Sequence, residues 1–242
     1  HIDTVSRIER QDLVAFHEAR FAPSTATAII VGDVDRERAA AAGERVLGGW
    51  RHPVPGEIVL PHPPKDRARQ ERVIPMMNKA QADVAYGFTT IVRSDPRYYA
   101  YTLMNNALGQ YGIGGRLGDS IRERQGMAYY VFSSFDANVV EGPLFVRAGV
   151  NPANVERAIG SIDEEMRRMA TEGLTVAELE DCRQYLVGSI PRLLETNGAI
   201  ATFLQTAEFF GLGLDHDRRL PSLLSAVTLE EVPAAARDTL VV

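Results

Sequence analysis

The sequence predicts an α+β fold: a mostly antiparallel sheet with helices packed on one face. Two observations predict it. Alternating, β-prone segments come in adjacent pairs, and the clearest pair, AYYVFSSFDANVV and PLFVRAGV, is joined by the short turn Glu141-Gly142-Pro143. Helix-period segments come in a run, from Asn151 to the end of the chain.

The elements follow in order. Residues 6–21 predict a helix: Ser6 with Glu9 fits a capping box, Leu13 and Phe16 mark an apolar stripe, and Pro23 ends it. TATAIIVGDV (25–34) reads as a short buried strand closed by Gly32, and Asp35 caps a second helix that ends at Gly48-Gly49. Helix, strand and helix make only part of a domain, because one strand has no sheet of its own. Five of the 13 prolines fall in residues 51–66, an extended, semi-rigid linker that marks a boundary. Beyond it, QERVIPMM and QADVAYGFTT alternate as two strands, the second with Val84, Tyr86 and Phe88 on one face. Asp95-Pro96 starts a helix that offers Tyr99, Leu103 and Leu108 to the core.

The Gly-rich GQYGIGG loop leads into GGRLGDSIRERQGMAYY (114–130). This stretch predicts an amphipathic helix with Leu117 and Ile121 on one side, a stop at Gly126, and a strand from Ala128. The glycines could be mistaken for a phosphate loop, but they follow no strand of a βαβ unit and lack Gly-Lys-Ser/Thr. After the hairpin, Val155, Ile159, Ile162, Met166 and Met169 recur at the spacing of one buried helix face. Thr175 with Glu178 forms a second capping box, and Pro191 is expected to bend or break the helix it opens. Two or three further helices fill 196–240, the last capped by Thr228 with Glu231. The segment 227–240 (VTLEEVPAAARDTL) echoes 5–21 (VSRIERQDLVAFHEARF): a cap, an acidic residue three on, an apolar face, then a break. The expected organisation is a domain remnant at 1–50, a linker at 51–66 and an α+β domain at 67–242.

Composition narrows the function classes. The chain has 242 residues, 45% apolar and 24% charged, an ordinary globular mix. The net charge of −6 with no basic block argues against nucleic acid and a membrane-surface role. All but two of the 26 basic residues are Arg, which reads as GC-rich, bacterial coding bias. Cys182, alone in the chain, sits at helical spacing with Leu179 and Leu186 and reads as a buried structural thiol. No apolar run is long enough to span a bilayer, and no leader is visible, so a soluble protein of bacterial cytoplasm or periplasm is expected. The chain begins at His1, not Met, and is expected to be a piece of a larger assembly.

Arg122 and Tyr129 are the candidate functional pair. They lie seven residues apart, across the point where a helix end feeds a strand, and side chains there can be aimed at one spot. Taken alone, Arg122 is one charge of RER, the pattern of a solvated helix end. Tyr129 has Tyr130 beside it, and alternation cannot choose between them.

GGRLGDSIRERQGMAYYVFSSF resembles the second-domain signature of pitrilysin/insulinase-type inverzincin peptidases, relatives of the mitochondrial processing peptidase. IERQDLVAFHEARFAPSTATAIIVGDVD is similar to the close of the domain before it, and LTVAELEDCRQYLVGSI sits where those proteins carry a similar helix start. The resemblance implies tandem α+β domains in pairs that enclose a chamber for peptides. It implies zinc held in one domain by H-x-x-E-H with a distal Glu, and an Arg and a Tyr supplied by a partner domain; Arg122 and Tyr129 match that spacing. Peptide hydrolysis there develops negative charge on the carbonyl oxygen, which a guanidinium and a phenol are suited to bind.

This chain departs from the zinc-bearing half. Its histidines are His1, His17, His52, His62 and His216, and none forms H-x-x-E-H or H-E-x-x-H. No metal or cofactor is expected here; zinc is expected in a partner or preceding domain. The implied function is that of the non-zinc-binding portion of a zinc peptidase, inactive alone, with Arg122 and Tyr129 as its site and a peptide as substrate. The alternative is a catalytically inactive relative acting as scaffold or peptide-binding subunit. A further expectation concerns the open edge: Ala26–Gly32 should pair onto a sheet, in the same chain or by a strand swap in a homodimer.

Overall fold

A computed structural model describes residues 2–56, 58–64 and 68–240. Glu57, Lys65 and Asp66 of the expected linker lie outside the described residues, as do His1, Arg67 and the last two valines. In chain order the helices are α1 (Ile2–Val5), α2 (Arg10–Arg20), α3 (Arg36–Leu47), α4 (Tyr98–Asn105), α5 (Val155–Thr171), α6 (Val176–Leu193), α7 (Asn197–Phe209), α8 (His216–Ser225) and α9 (Glu231–Thr239). The strands are β1 (Ala82–Thr89), β2 (Ala128–Phe135) and β3 (Pro143–Val150). The chain divides into two units, residues 1–60 with 192–212, and residues 61–191 with 213–242.

The second unit holds the α+β fold. Its sheet has the order β1-β3-β2 with antiparallel pairing throughout. β3 is central, and its core face, Leu144, Val146, Ala148 and Val150, is buried because helices cover it. α4 contributes Tyr101, Leu103 and Met104, α5 contributes Ile162, Met166 and Met169, and α9 packs on both through Val232, Ala235 and Ala236. The expected spacing on α5 thus buries its last three members fully, while Val155 and Ile159 stay half-buried. Truncating any of these large side chains leaves a cavity, at a cost of about 2–5 kcal/mol. The opposite sheet face is open, with Phe132 and Phe145 exposed on it.

Two expected caps formed and two changed. The Glu178 amide donates to the Thr175 hydroxyl at 3.1 Å, and the Thr175 amide donates to the Glu178 carboxylate at 2.8 Å, a full capping box. Asp35 accepts from the Arg38 amide at 2.7 Å. At α2 the box is made by Glu9 and Asp12 rather than Ser6 and Glu9, because a separate short helix, α1, takes up the residues before Ser6. Pro191 neither bends nor breaks α6; it lies in the last turn, where few later amides depend on its carbonyl neighbours.

Two expected strands did not form. Residues 26–31 and 70–76 are extended in parts, but neither belongs to a ladder among the described residues. Their β-prone composition fits a pleated surface, and β structure needs a neighbour to supply the other half of each hydrogen bond. In the first unit α2 and α3 contain no buried residue, and Leu13 and Phe16, the expected apolar stripe, are exposed.

Candidate functional site

The candidate turn is built from close backbone packing. α4 runs on through Gln110 in wider, π-type turns, and a second π-type segment spans Gly118–Arg124. Such turns are rare inside helices and concentrate at functional sites. Leu117 and Ile121 anchor the second segment in the core, as their spacing predicts. Gly118 lets it approach the preceding loop: a Cβ there would meet the Gly112 carbonyl oxygen at 2.2 Å. The chain then reverses at Gly126, whose φ of +59° suits glycine. Its amide donates to the Arg122 carbonyl at 3.0 Å, and the Met127 amide donates to the Ile121 carbonyl at 3.0 Å. These bonds fix the end of the helix against the start of β2.

Tyr129 is then set apart by a break in register. Ala128 pairs with Val150, and Tyr130 with Gly149, so Tyr129 is the extra residue of a β-bulge. The bulge shifts the alternation by one. Ala128 faces the core, Tyr130 turns to the open face, and Tyr129 is 81% exposed. Its hydroxyl has no hydrogen-bond partner among the described residues. Tyr130 is occupied: it reaches across β3 and donates to the Asp83 carboxylate of β1 at 2.6 Å. That bond raises the Tyr130 phenol pKa and lowers that of Asp83. Gly149 makes room for this crossing, since a Cβ there would lie 2.4 Å from the Tyr130 ring.

Arg122 lies on the exposed side of the π-type segment, and the one ion pair it makes among the described residues is to its neighbour Glu123 at 3.6 Å. A nearby arginine is held differently. Arg116 donates twice to Glu178, at 2.8 and 3.0 Å, and once to the Gly173 carbonyl at 2.6 Å. Burial disfavours the Glu178 carboxylate, but Arg116 and the Thr175 amide outweigh it and hold its pKa at about 2. The structure places Arg122 and Tyr129 on the two arms of one turn, with both polar ends in solvent. No hydrogen bond joins the two side chains, and neither lines a pocket identified in the fold. The bulge had one signal in the sequence, the doubled tyrosine that interrupts alternation in AYYVFSSF; the π-type turns had none.

The donor set does not fit zinc. Among the described residues no group of three or more His, Cys, Asp or Glu is placed to hold a metal ion. His17 stacks on Phe21 on exposed α2, His62 meets Glu141 at 2.7 Å, and His216 is buried beside Tyr99. Burial pushes the Cys182 thiol up to about 12, so it stays protonated and inert. No described helix is long and apolar enough to cross a membrane.

Comparison with known proteins agrees with this division. The model of the peptidase M16 inactive domain matches residues 7–186. An uncharacterized zinc protease of Streptomyces coelicolor is 28% identical over 245 residues, covering 99% of this chain and 53% of that protein. A shorter match, 26% identical over 125 residues, is to a Helicobacter pylori protein described as a non-peptidase homolog, covering 50% of this chain and 28% of that one. The crystal structure of a peptidase M16 inactive domain from Pseudomonas fluorescens superposes with a TM-score of 0.86 at 26% identity, covering 98% of this chain and 55% of that one. The chain thus spans about half the length of these zinc-protease and structural relatives. The α+β architecture and the resemblance to pitrilysin/insulinase-type peptidases are borne out, and the chain belongs to the peptidase M16 inactive-domain family.

Proposed function

We propose that this chain is the non-zinc-binding portion of a zinc-peptidase assembly and lends Arg122 and Tyr129 to a site completed elsewhere. Residues 1–50 would close one domain and 67–242 would form most of the next, with the zinc-bearing H-x-x-E-H helix in a partner domain or subunit. The observation that carries the reading is the bulge at Tyr129. It presents a phenol with no partner among the described residues, while the adjacent Tyr130 is committed to Asp83. A bulge of this kind re-aims one side chain at the cost of one ladder position.

The chemistry fits a carbonyl oxygen. Arg122 offers a permanent cation with several N–H donors, and Tyr129 offers one O–H donor. Two such donors fixed on a short rigid turn would hold a substrate carbonyl and favour the charge that develops on its oxygen. Losing one donor of this type lowers the rate about a hundred-fold or more. The test is the peptidase assembly reconstituted with its zinc-bearing part. Arg122→Ala is expected to lower kcat at least a hundred-fold while assembly is unchanged. A purified chain that binds stoichiometric zinc and cleaves peptides unaided would sink the proposal.

The Helicobacter pylori relative, by its description a non-peptidase, favours a second reading in which the chain is a scaffold or peptide-binding subunit. Under that reading Arg122→Ala leaves every assembly-dependent function intact.

A further inference from the structure

The second unit contains a strand-shaped vacancy. β1 is an edge strand: one side pairs with β3, and the other has no ladder partner among the described residues. Beside it lies a groove of 1540 Å³. The free edge of β1 lines it from Ala82 to Thr89, and so does the extended stretch carrying Val73, Ile74 and Met76. That stretch was the expected first strand of the sheet, and it makes no ladder with β1. Its apolar side chains are exposed, an unusual fate for such a run in a finished sheet. The groove also takes in Val155 and Ile159 of α5, and Asp238 and Thr239 at the end of α9.

The internal echo says what belongs there. Aligned on their caps, 8–21 and 227–240 place Leu13 opposite Val232, Phe16 opposite Ala235 and Phe21 opposite Leu240. The structure repeats the cap as well: the Glu9 amide donates to Asp12 at 2.8 Å, and the Thr228 amide donates to Glu231 at 2.6 Å. After α2 the chain makes one 3₁₀ turn, Pro23–Thr25, and then extends through Ala26–Val31. After α9 the chain arrives at the lip of the groove. A helix of this type is followed, in the copy that continues, by an uncharged Ala/Thr/Ile/Val strand. Such a strand suits a central position, where both edges are hydrogen-bonded and both faces are covered.

We propose that the groove is a strand seat and that Ala26–Gly32 of a second copy of this chain fills it, in reciprocal exchange. The inserted strand pairs with β1 on one side and with the extended stretch at 70–76 on the other, and the sheet grows from three strands to five. Charge supports this occupant over an ionic ligand. Arg69 in the groove is already paired with Asp163 at 2.9 Å, and Arg97 with Asp95 at 2.8 Å, while residues 26–32 carry no charge to leave unmatched. Exchange of identical elements closes a two-fold dimer. The proposal is independent of the role of Arg122 and Tyr129.

Sedimentation and hydrogen exchange on the full chain test it. The expected result is a concentration-dependent dimer in which the amides of 26–32 and of 82–89 become protected together. Ile30→Pro is expected to raise the dimer dissociation constant at least tenfold and to remove both protections, because proline cannot donate within a central strand. Exchange of the β2–β3 hairpin stays unchanged and reports that the fold is intact. A synthetic peptide with the sequence of residues 25–34 is expected to dissociate the dimer while keeping 82–89 protected. Three results would overturn the proposal: a monomer at every concentration, a dimer indifferent to Ile30→Pro, or protection of β1 within a monomer.

Discussion

Arg116 and Arg122 lie six residues apart in one stretch of chain and are held in opposite ways. The Arg116 side chain is 12% exposed and bound by a paired carboxylate and a carbonyl; that of Arg122 is 45% exposed and meets only a flexible neighbour among the described residues. The same contrast recurs at Tyr129 and Tyr130, one with no partner for its hydroxyl and the other tied to Asp83. In each pair one residue holds the turn together and its neighbour is presented to solvent. A surface arginine with a single weak contact adds little to stability, so its position is better explained by a partner outside the unit.

Substitutions in the two arginines should separate stability from activity. Arg116→Ala leaves a half-buried Glu178 without its counter-charge and the Gly173 carbonyl without its donor. It is expected to destabilise the second unit by about 2–3 kcal/mol in denaturant unfolding. Arg122→Ala is expected to stay within about 0.5 kcal/mol of the parent. If both destabilise equally, Arg122 is a structural residue and the comparison fails.

Acid unfolding sharpens the Arg116 side of the contrast. Glu178 ionises at about 2 in the folded chain, below the ordinary carboxylate value of 4.5. A depressed folded pKa stabilises the fold above the unfolded value and loses that contribution as pH falls. Stability should therefore decline between about pH 4.5 and 2 through this group. Glu178→Gln is expected to remove that part of the slope while lowering the neutral-pH plateau. An unchanged acid slope in the variant would show that Arg116 does not hold the carboxylate charged.

Much of the fold was legible because some signals are local. The Thr175–Glu178 box, the Asp35 cap, the β2–β3 hairpin and the α5 spacing each depend on residues a few positions apart, and each formed. The runs at 25–34 and 70–77 carry an equally good β pattern and formed no ladder, because a strand is completed by a partner distant in sequence. The candidate pair shows the same division. The spacing of Arg122 and Tyr129 is visible in the sequence, but which tyrosine faces solvent depends on a bulge that shifts parity by one, set by pairing with β3. The π-type turns that carry Arg122 leave no periodicity of their own, since Leu117 and Ile121 satisfy an ordinary helix equally well.

The smallest expected effect belongs to the tyrosines and isolates the bulge. The Tyr130 hydroxyl donates to Asp83, and that bond, with a second from Gln81, holds the Asp83 carboxyl below its ordinary value. Tyr130→Phe removes the first donor, so Asp83 is expected to titrate at higher pH when followed by NMR, with the fold retained. Tyr129→Phe deletes a hydroxyl that makes no bond to Asp83, so the Asp83 titration is expected to stay unchanged. If Tyr129→Phe moves Asp83 instead, the register across Ala128 and Tyr130 is regular in solution, and the tyrosine presented to solvent is the other one.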